Sequence, residues 1–202
     1  MNITILGTGH MGRTLAAGLL RSGHSVVFGS RAPAEVEDLP APAYSHADAI
    51  ARGDIVISAL AAAHSLDTLT PLAGAIGDRV LIDIGNAVDE RLDLIYADSS
   101  LGERLQRALP RARVVKTLNT VAGPIGVDPT LLTAPTTVFL SGDDARAKET
   151  VSGILRGLGW TDDQQIDLGG ISTARAVEHY FLLFGSLMGA LRGGQFNLSI
   201  IR

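Results

Sequence analysis

Three glycines, at positions 7, 9 and 12, stand between an apolar run and an amphipathic stretch. That junction limits what the chain can become. Ile3-Thr4-Ile5-Leu6 reads as a strand, and Gly7-Thr8-Gly9-His10-Met11-Gly12 fits G-x-G-x-x-G. Met11 to Arg21 reads as a helix, and Ser25-Val26-Val27-Phe28-Gly29 as a second strand. A glycine motif alone is weak in a chain with 23 glycines. Set between a strand and a helix, inside one βαβ unit, it becomes a dinucleotide-binding fingerprint. Gly7 permits the tight turn, Gly9 lets the backbone approach a pyrophosphate, and Gly12 lets the helix pack close to the strand. The helix N-terminus supplies free N–H groups and a partial positive charge for the phosphates.

The second strand ends in Ser30-Arg31, where an NAD-binding chain places Asp or Glu. A carboxylate there accepts the ribose 2′-hydroxyl, whereas an Arg pairs with a 2′-phosphate. Ser30 adds a hydroxyl donor. NADP(H) is therefore the expected cofactor. Glu35, Glu37 and Asp38 follow closely enough to leave NAD use open.

The remaining chain alternates strands and helices, which implies an α/β fold: a doubly wound, mostly parallel Rossmann sheet with a C-terminal helical arm. Further strands are expected at Ala43-Tyr44, Asp54–Leu60, Arg79–Ile84, Ala112–Leu118 and Thr136–Ser141, with a last short one within Trp160–Asp167. Helices are expected over His46–Arg52, His64–Ile76, Leu101–Leu109, from Asp143-Asp144 to Leu158, and over Ile171–Arg192. Thr120–Pro135 reads as irregular. Residues 1–169 are expected to form the NADP-binding domain and 170–202 an arm packed on it.

A hydrophobic content of 46% in 202 residues is ample for one large core, and a net charge of −4 gives no sign of a nucleic-acid partner. Cysteine is absent, so disulfides, thiolate metal sites and Cys nucleophiles are excluded. The longest late apolar run, Tyr180–Leu191, is shorter than the roughly 20 residues a bilayer needs. With no charged leader before the first strand, a cytoplasmic protein without a membrane partner is expected. Four of the nine aromatics (Tyr180, Phe181, Phe184 and Phe196) gather in the last helix and tail. They suit core packing together with a homodimer interface, or else one wall of a flat-ligand pocket.

Ligands of doubly wound sheets sit at the carboxyl ends of the strands. Ser58, Asn86, Lys116, Asn119 and Thr120 are expected to converge there, with Ala59, Leu60 and Ala61 as a small apolar surface. No nucleophile–base constellation and no metal-ligand spacing is present. No catalytic side chain and no metal is assigned, because hydride transfer needs a cofactor and two oriented rings more than it needs a protein acid or base. His64 reads as a helix-start residue rather than an acid–base group, and His179 as a packed helix residue.

These residues carry a resemblance. The segments Ile5–Gly12, Gly29-Ser30-Arg31, Asp54–Leu60, Leu81–Asn86, Val114–Thr120 and Ala174–Glu178 are similar to the NADPH-dependent coenzyme F-420 reductases. The Rossmann domain of that family also resembles the NADPH-binding domain of six-transmembrane metalloreductases. The resemblance implies that Thr8–Gly12 cradle the pyrophosphate and that Ser30 and Arg31 hold the 2′-phosphate. It also implies that Ala59, Leu60, Asn86 and Asn119 line the hydride-transfer site, and that the chain works as a dimer. Coenzyme F-420, a deazaflavin, would be the co-substrate. One departure stands out: relatives often carry a second basic residue shortly after the Arg, and here Pro33-Ala34-Glu35 occupies that stretch.

Two other readings use the same fingerprint. One is a reductase of another small-molecule acceptor, such as a flavin, a quinone or a carbonyl compound. A β-hydroxyacid dehydrogenase is rejected: that class adds a large helical domain, where 34 residues follow Leu168, and carries its Lys on a helix, whereas Lys116 ends a strand. The other reading is a non-catalytic NADPH-binding or sensing module.

Overall fold

Ile55-Val56-Ile57 and Val80-Leu81-Ile82 have no polar alternation, so both faces of these strands must be covered. The computed structural model describes residues 1–201, and these strands lie inside a six-stranded parallel sheet. Arg202, the last residue of the expected arm, lies outside the described residues. Strands β1 (Asn2–Leu6), β2 (Ser25–Ser30), β3 (Ala43–Ser45), β4 (Ile55–Ser58), β5 (Val80–Asp83) and β6 (Arg113–Lys116) are ordered β3-β2-β1-β4-β5-β6. Every pairing among them is parallel. Leu6 is level with Gly29 on one side and Ser58 on the other, so three strands end together. The strand order reverses between β1 and β4, and the crevice beyond that point is where such sheets take ligands.

Period-two alternation sorts the core. Ile3, Ile5, Ile57, Ile82 and Val115 share one cluster with Leu15 and Leu19 of α1 (His10–Arg21) and with Val151 and Ile154 of α7 (Ala145–Gly157). Leu6, Val56, Leu81 and Val114 face the other way. They pack with Ile50 of α2 (His46–Ile50), Leu69 of α3 (Ala62–Leu69), Leu101 and Leu105 of α5 (Leu101–Ala108) and Ala174 of α8 (Ala174–Leu191). Side-chain caps set several helix starts: Asp144 accepts from the Ala147 N–H at 2.8 Å and Ser100 from the Glu103 N–H at 3.0 Å.

Several expected elements differ. The helix over His64–Ile76 is broken into α3, a 3-10 turn at Thr70–Leu72, and α4 (Ala73–Ile76). Pro71 lies in that turn and has no N–H to donate, which ends the α-helical ladder. The sixth strand stops at Lys116 rather than Leu118, because Leu118 takes φ +58°, outside strand space. The next expected strands do not extend the sheet. β7 (Val138–Leu140) and β8 (Gln165–Asp167) form a separate parallel pair. One antiparallel bridge joins that pair to the main sheet, Lys116 and Ser141 exchanging N–H···O bonds of 2.8 and 3.0 Å. The irregular stretch before β7 contains a short helix, α6 (Gly123–Gly126).

α8 divides along its length. Val177, Glu178 and Phe184 are buried, while Leu182, Leu183, Met188 and Leu191 are exposed. Phe184 stacks on Phe181 and contacts Phe196 of the tail, at centroid distances of 6.0 and 4.9 Å. The tail is pinned by Asn197, whose Nδ2 donates to the Thr137 carbonyl at 2.9 Å, and by the Thr137 N–H, which donates to Leu198 at 2.8 Å. Among the described residues, no helix is long and apolar enough to cross a membrane.

Candidate functional site

The glycine turn shows why each glycine is there. Gly7 has φ +111°, and a Cβ on it would lie 2.4 Å from the Ala59 carbonyl oxygen. A Cβ on Gly12 would lie 2.2 Å from the Gly7 oxygen. Protein packing forces both. At Gly9 a Cβ would meet no atom within 4 Å. Packing does not demand glycine there, and the space beside its backbone is open to a ligand. Gly9 is the N-cap of α1, no side chain caps that helix, and no carboxylate sits in its first turn. The N-terminal N–H groups and the helix dipole are thus left for an anion. Thr8 and Met11 are half-buried and His10 is exposed along the same turn. These residues fit a bound NADP(H) pyrophosphate.

Ser30 ends β2 half-buried, and Arg31 is exposed beside it. Neither is consumed by an ion pair among the described residues. A residue that sequence reasoning missed organises this corner. Arg13 donates from Nε to the Thr8 carbonyl at 2.9 Å, from Nη1 to the Asp38 carbonyl at 2.8 Å, and from Nη2 to the Glu37 carbonyl at 3.1 Å. It fastens the glycine turn to the loop after β2. No sequence signal marks an Arg that grips three main-chain oxygens.

At the other end of the crevice, Ala59 and Leu60 leave β4 half-buried. Ser58, just before them, is buried and its Oγ has no hydrogen-bond partner. The structure brings Asn86 and Asn119 together. Asn119 Nδ2 donates to Asn86 Oδ1 at 2.9 Å, and Asn86 Nδ2 donates to the Asn119 carbonyl at 2.7 Å. Asn119 also donates to the Val177 carbonyl of α8 at 2.9 Å. Beyond β4 and β5 opens a cleft of about 680 Å³, lined by Ala63, His64, Val88, Asp89, Glu90, Arg91 and Ile95.

Of the five residues expected at this edge only Asn86 is partly exposed; Ser58 and Asn119 are buried, and two others are buried with them. Thr120 is buried. Lys116 is fully buried, with Nζ 2.9 Å from Asp83 Oδ2 and 2.8 Å from Glu178 Oε1, and bonded also to the Gly85 carbonyl. Burial works against its charge, but Asp83 and Glu178 outweigh that and hold its pKa above the ordinary lysine value. Glu178 meanwhile accepts from the Leu101 and Gly102 N–H groups at 2.9 and 3.1 Å, capping α5 from α8. The Lys–Asp–Glu cluster therefore binds β5, β6, α5 and α8 together beneath the asparagine pair. The sequence offers a lysine in an apolar strand and a glutamate in an apolar helix, which must find partners if buried, since isolated buried charges are too costly; it does not say that they are buried or that they meet.

Comparison with known proteins gives this geometry a context. Residues 2–87 match the family model for NADP oxidoreductase, coenzyme F-420-dependent. A crystal structure of a candidate F-420-dependent NADP reductase from Arthrobacter sp. FB24 is 38% identical, with a TM-score of 0.94, and each chain covers 100% of the other. Metalloreductase STEAP3 of Rattus norvegicus is 31% identical over 185 residues, or 87% of this chain. The chain spans 35% of that metalloreductase's length. An imine reductase from Bacillus cereus BAG3X2 shares the fold, with a TM-score of 0.69 at 18% identity over 95% of this chain and 62% of that one. With the fingerprint, the Rossmann strand order and a full-length relative in agreement, the chain belongs to the F-420-dependent NADP oxidoreductase family and is an NADP-dependent oxidoreductase.

Proposed function

We propose that the protein transfers hydride between NADP(H) and a deazaflavin coenzyme of the F-420 type. The observation that carries this reading is the full-length match to the Arthrobacter protein, whose assignment is an F-420-dependent NADP reductase. The site supports it in kind. Bound NADPH supplies the hydride from nicotinamide C4. On this reading Gly7, Thr8, Gly9, His10, Met11 and Gly12 hold the pyrophosphate, and Ser30 and Arg31 the 2′-phosphate. Ala59 and Leu60 offer an apolar surface, while Asn86 and Asn119 fix each other's amides beyond the strand ends. Hydride transfer between two rings asks the chain to orient and to exclude water, not to move protons through a side chain.

The rim of the cleft favours a second reading. Asp89 and Glu90 line it, and Arg91 is engaged by Asp89 at 4.0 Å and Asp93 at 3.3 Å. An acidic rim suits an uncharged or cationic acceptor better than an anionic one. One experiment separates the readings. NADPH oxidation is followed spectrally with coenzyme F-420, a flavin, a quinone and a small carbonyl compound as acceptors. Turnover with F-420 alone supports the first reading, and turnover with another acceptor supports the second. NADPH binding without oxidation by any of them leaves a binding or sensing module.

The same reading makes the protein a cytoplasmic homodimer paired through α8. The exposed apolar residues Leu182, Leu183, Met188 and Leu191 support the pairing, since large apolar side chains left exposed along one helix suit burial against a second copy. Leu183→Glu is expected to turn a dimer into a monomer in sedimentation velocity. A wild-type monomer would remove this part of the proposal.

A further inference from the structure

One corner of the nucleotide half holds a side chain that the glycine fingerprint does not explain. β2 and β3 are parallel, with Ser30 opposite Ser45. Arg31 and His46 therefore leave the sheet side by side, one step past the paired ends. The His46 ring lies over Gly29, where a Cβ would come within 3.2 Å of its Cδ2. Glycine at that position makes room first for the Leu6 side chain and then for the ring.

His46 is half-buried, and no hydrogen bond to its ring or to the Arg31 guanidinium is found among the described residues. Ser30 Oγ accepts from the Ala32 N–H at 3.2 Å, so its own proton remains available. The neighbouring charges on α2 and just after it are engaged elsewhere. Asp48 accepts from Ser45 Oγ at 2.7 Å, and Arg52 stacks 4.1 Å from the Tyr44 ring centroid. Burial first, and then Arg31, lower the His46 pKa in the ligand-free protein. A dianion placed between them reverses the second effect. The stretch after Arg31 supplies no other base.

We propose that His46 is a second reader of the nucleotide 2′-phosphate, completing with Ser30 and Arg31 a three-sided anion site at the ends of β2 and β3. The inference rests on Ser30-Arg31 being the 2′-phosphate corner. A neutral imidazole donates one N–H to a phosphate oxygen, and a protonated one adds charge to the bond. Preference for NADP(H) over NAD(H) then comes from two strands rather than one.

The test is a set of NADPH and NADH dissociation constants, by titration calorimetry at pH 7, for the wild type, H46A, H46K and R31A. H46A is expected to weaken NADPH about tenfold and to leave NADH unchanged, which also reports an intact fold. H46K keeps a donor and is expected to keep the NADPH preference. Equal weakening of both nucleotides by H46A, no change in either, or a loss in H46K as large as in H46A would overturn the role of His46. R31A distinguishes the two levels. If it leaves the NADPH-to-NADH ratio unchanged, the corner itself is misassigned. If R31A changes the ratio and H46A does not, the corner stands and His46 alone is excluded.

Discussion

The two halves of the crevice are built by different means. The nucleotide half, β1 to β3, is shaped by backbone: glycines that remove Cβ atoms, a helix start without a side-chain cap, and Arg13 holding carbonyls. The half proposed for the acceptor, β4 to β6 with α8, is shaped by side chains: the Asn86–Asn119 pair and the buried Lys116, Asp83 and Glu178. Backbone-shaped sites recognise what all dinucleotides share. Side-chain-shaped sites can be altered one residue at a time, which suits the end of the cleft where acceptors differ.

Mutations can break or sharpen this contrast. The largest effect is expected at Gly9. Gly9→Val should abolish binding of both NADPH and NADH, because the backbone can no longer be approached. It should cost no more than about 1 kcal/mol of stability, as a poorer N-cap. Urea unfolding beside nucleotide titration checks both, and retained binding would mean that the turn is not the site.

Glu178→Ala comes next. It leaves Lys116 with one carboxylate and strands the Leu101 and Gly102 N–H groups of α5, and breaking a buried pair this way costs about 3–5 kcal/mol. The nucleotide end should still bind NADPH if the variant folds. A loss under 1 kcal/mol would show that the cluster is not what holds α8 to the sheet.

Arg31→Ala should weaken NADPH by about 1.5–3 kcal/mol and NADH hardly at all, with calorimetry as the readout. The smallest effect is in pH. His24 is lowered by burial and then by the N-terminal ammonium, and His46 by burial and then by Arg31. A group lowered on folding binds its proton more readily in the unfolded chain. Its contribution is therefore present above the unfolded value, near 6.5, and is lost as pH falls through the lower folded value. Urea midpoints should drop modestly from pH 7.5 to pH 5, and less so in a variant with Gln at 24 and 46.

The same contrast explains what could be read before the fold was seen. β1, the glycine turn, α1 and β2 were legible because glycine spacing and helical periodicity are local signals. The asparagine pair was legible from the strand-end rule. The burial of Lys116 was not: in a strand covered on both faces, both sides are apolar, so periodicity does not say which way a polar residue points. The separate β7–β8 pair was illegible for a related reason, since a strand's own pattern does not name its neighbour. Pro71 did announce the break between α3 and α4, and the apolar pattern across it outweighed that signal. Arg13 and His46 carry no motif; their meaning lies in main-chain oxygens and a neighbouring glycine.

The Arg13 grip has a consequence for cofactor engineering. Its three acceptors are carbonyls, so the identities of the side chains at Glu37 and Asp38 do not enter the contact. The loop proposed to read the nucleotide's distal end can be rewritten residue by residue while remaining moored to the turn proposed to hold its centre. Because the two are fastened before any nucleotide arrives, less conformational freedom is lost on association. A redesign from NADP to NAD should therefore exchange side chains within the loop and keep its length, since an insertion or deletion would slip the carbonyls out of the guanidinium's reach.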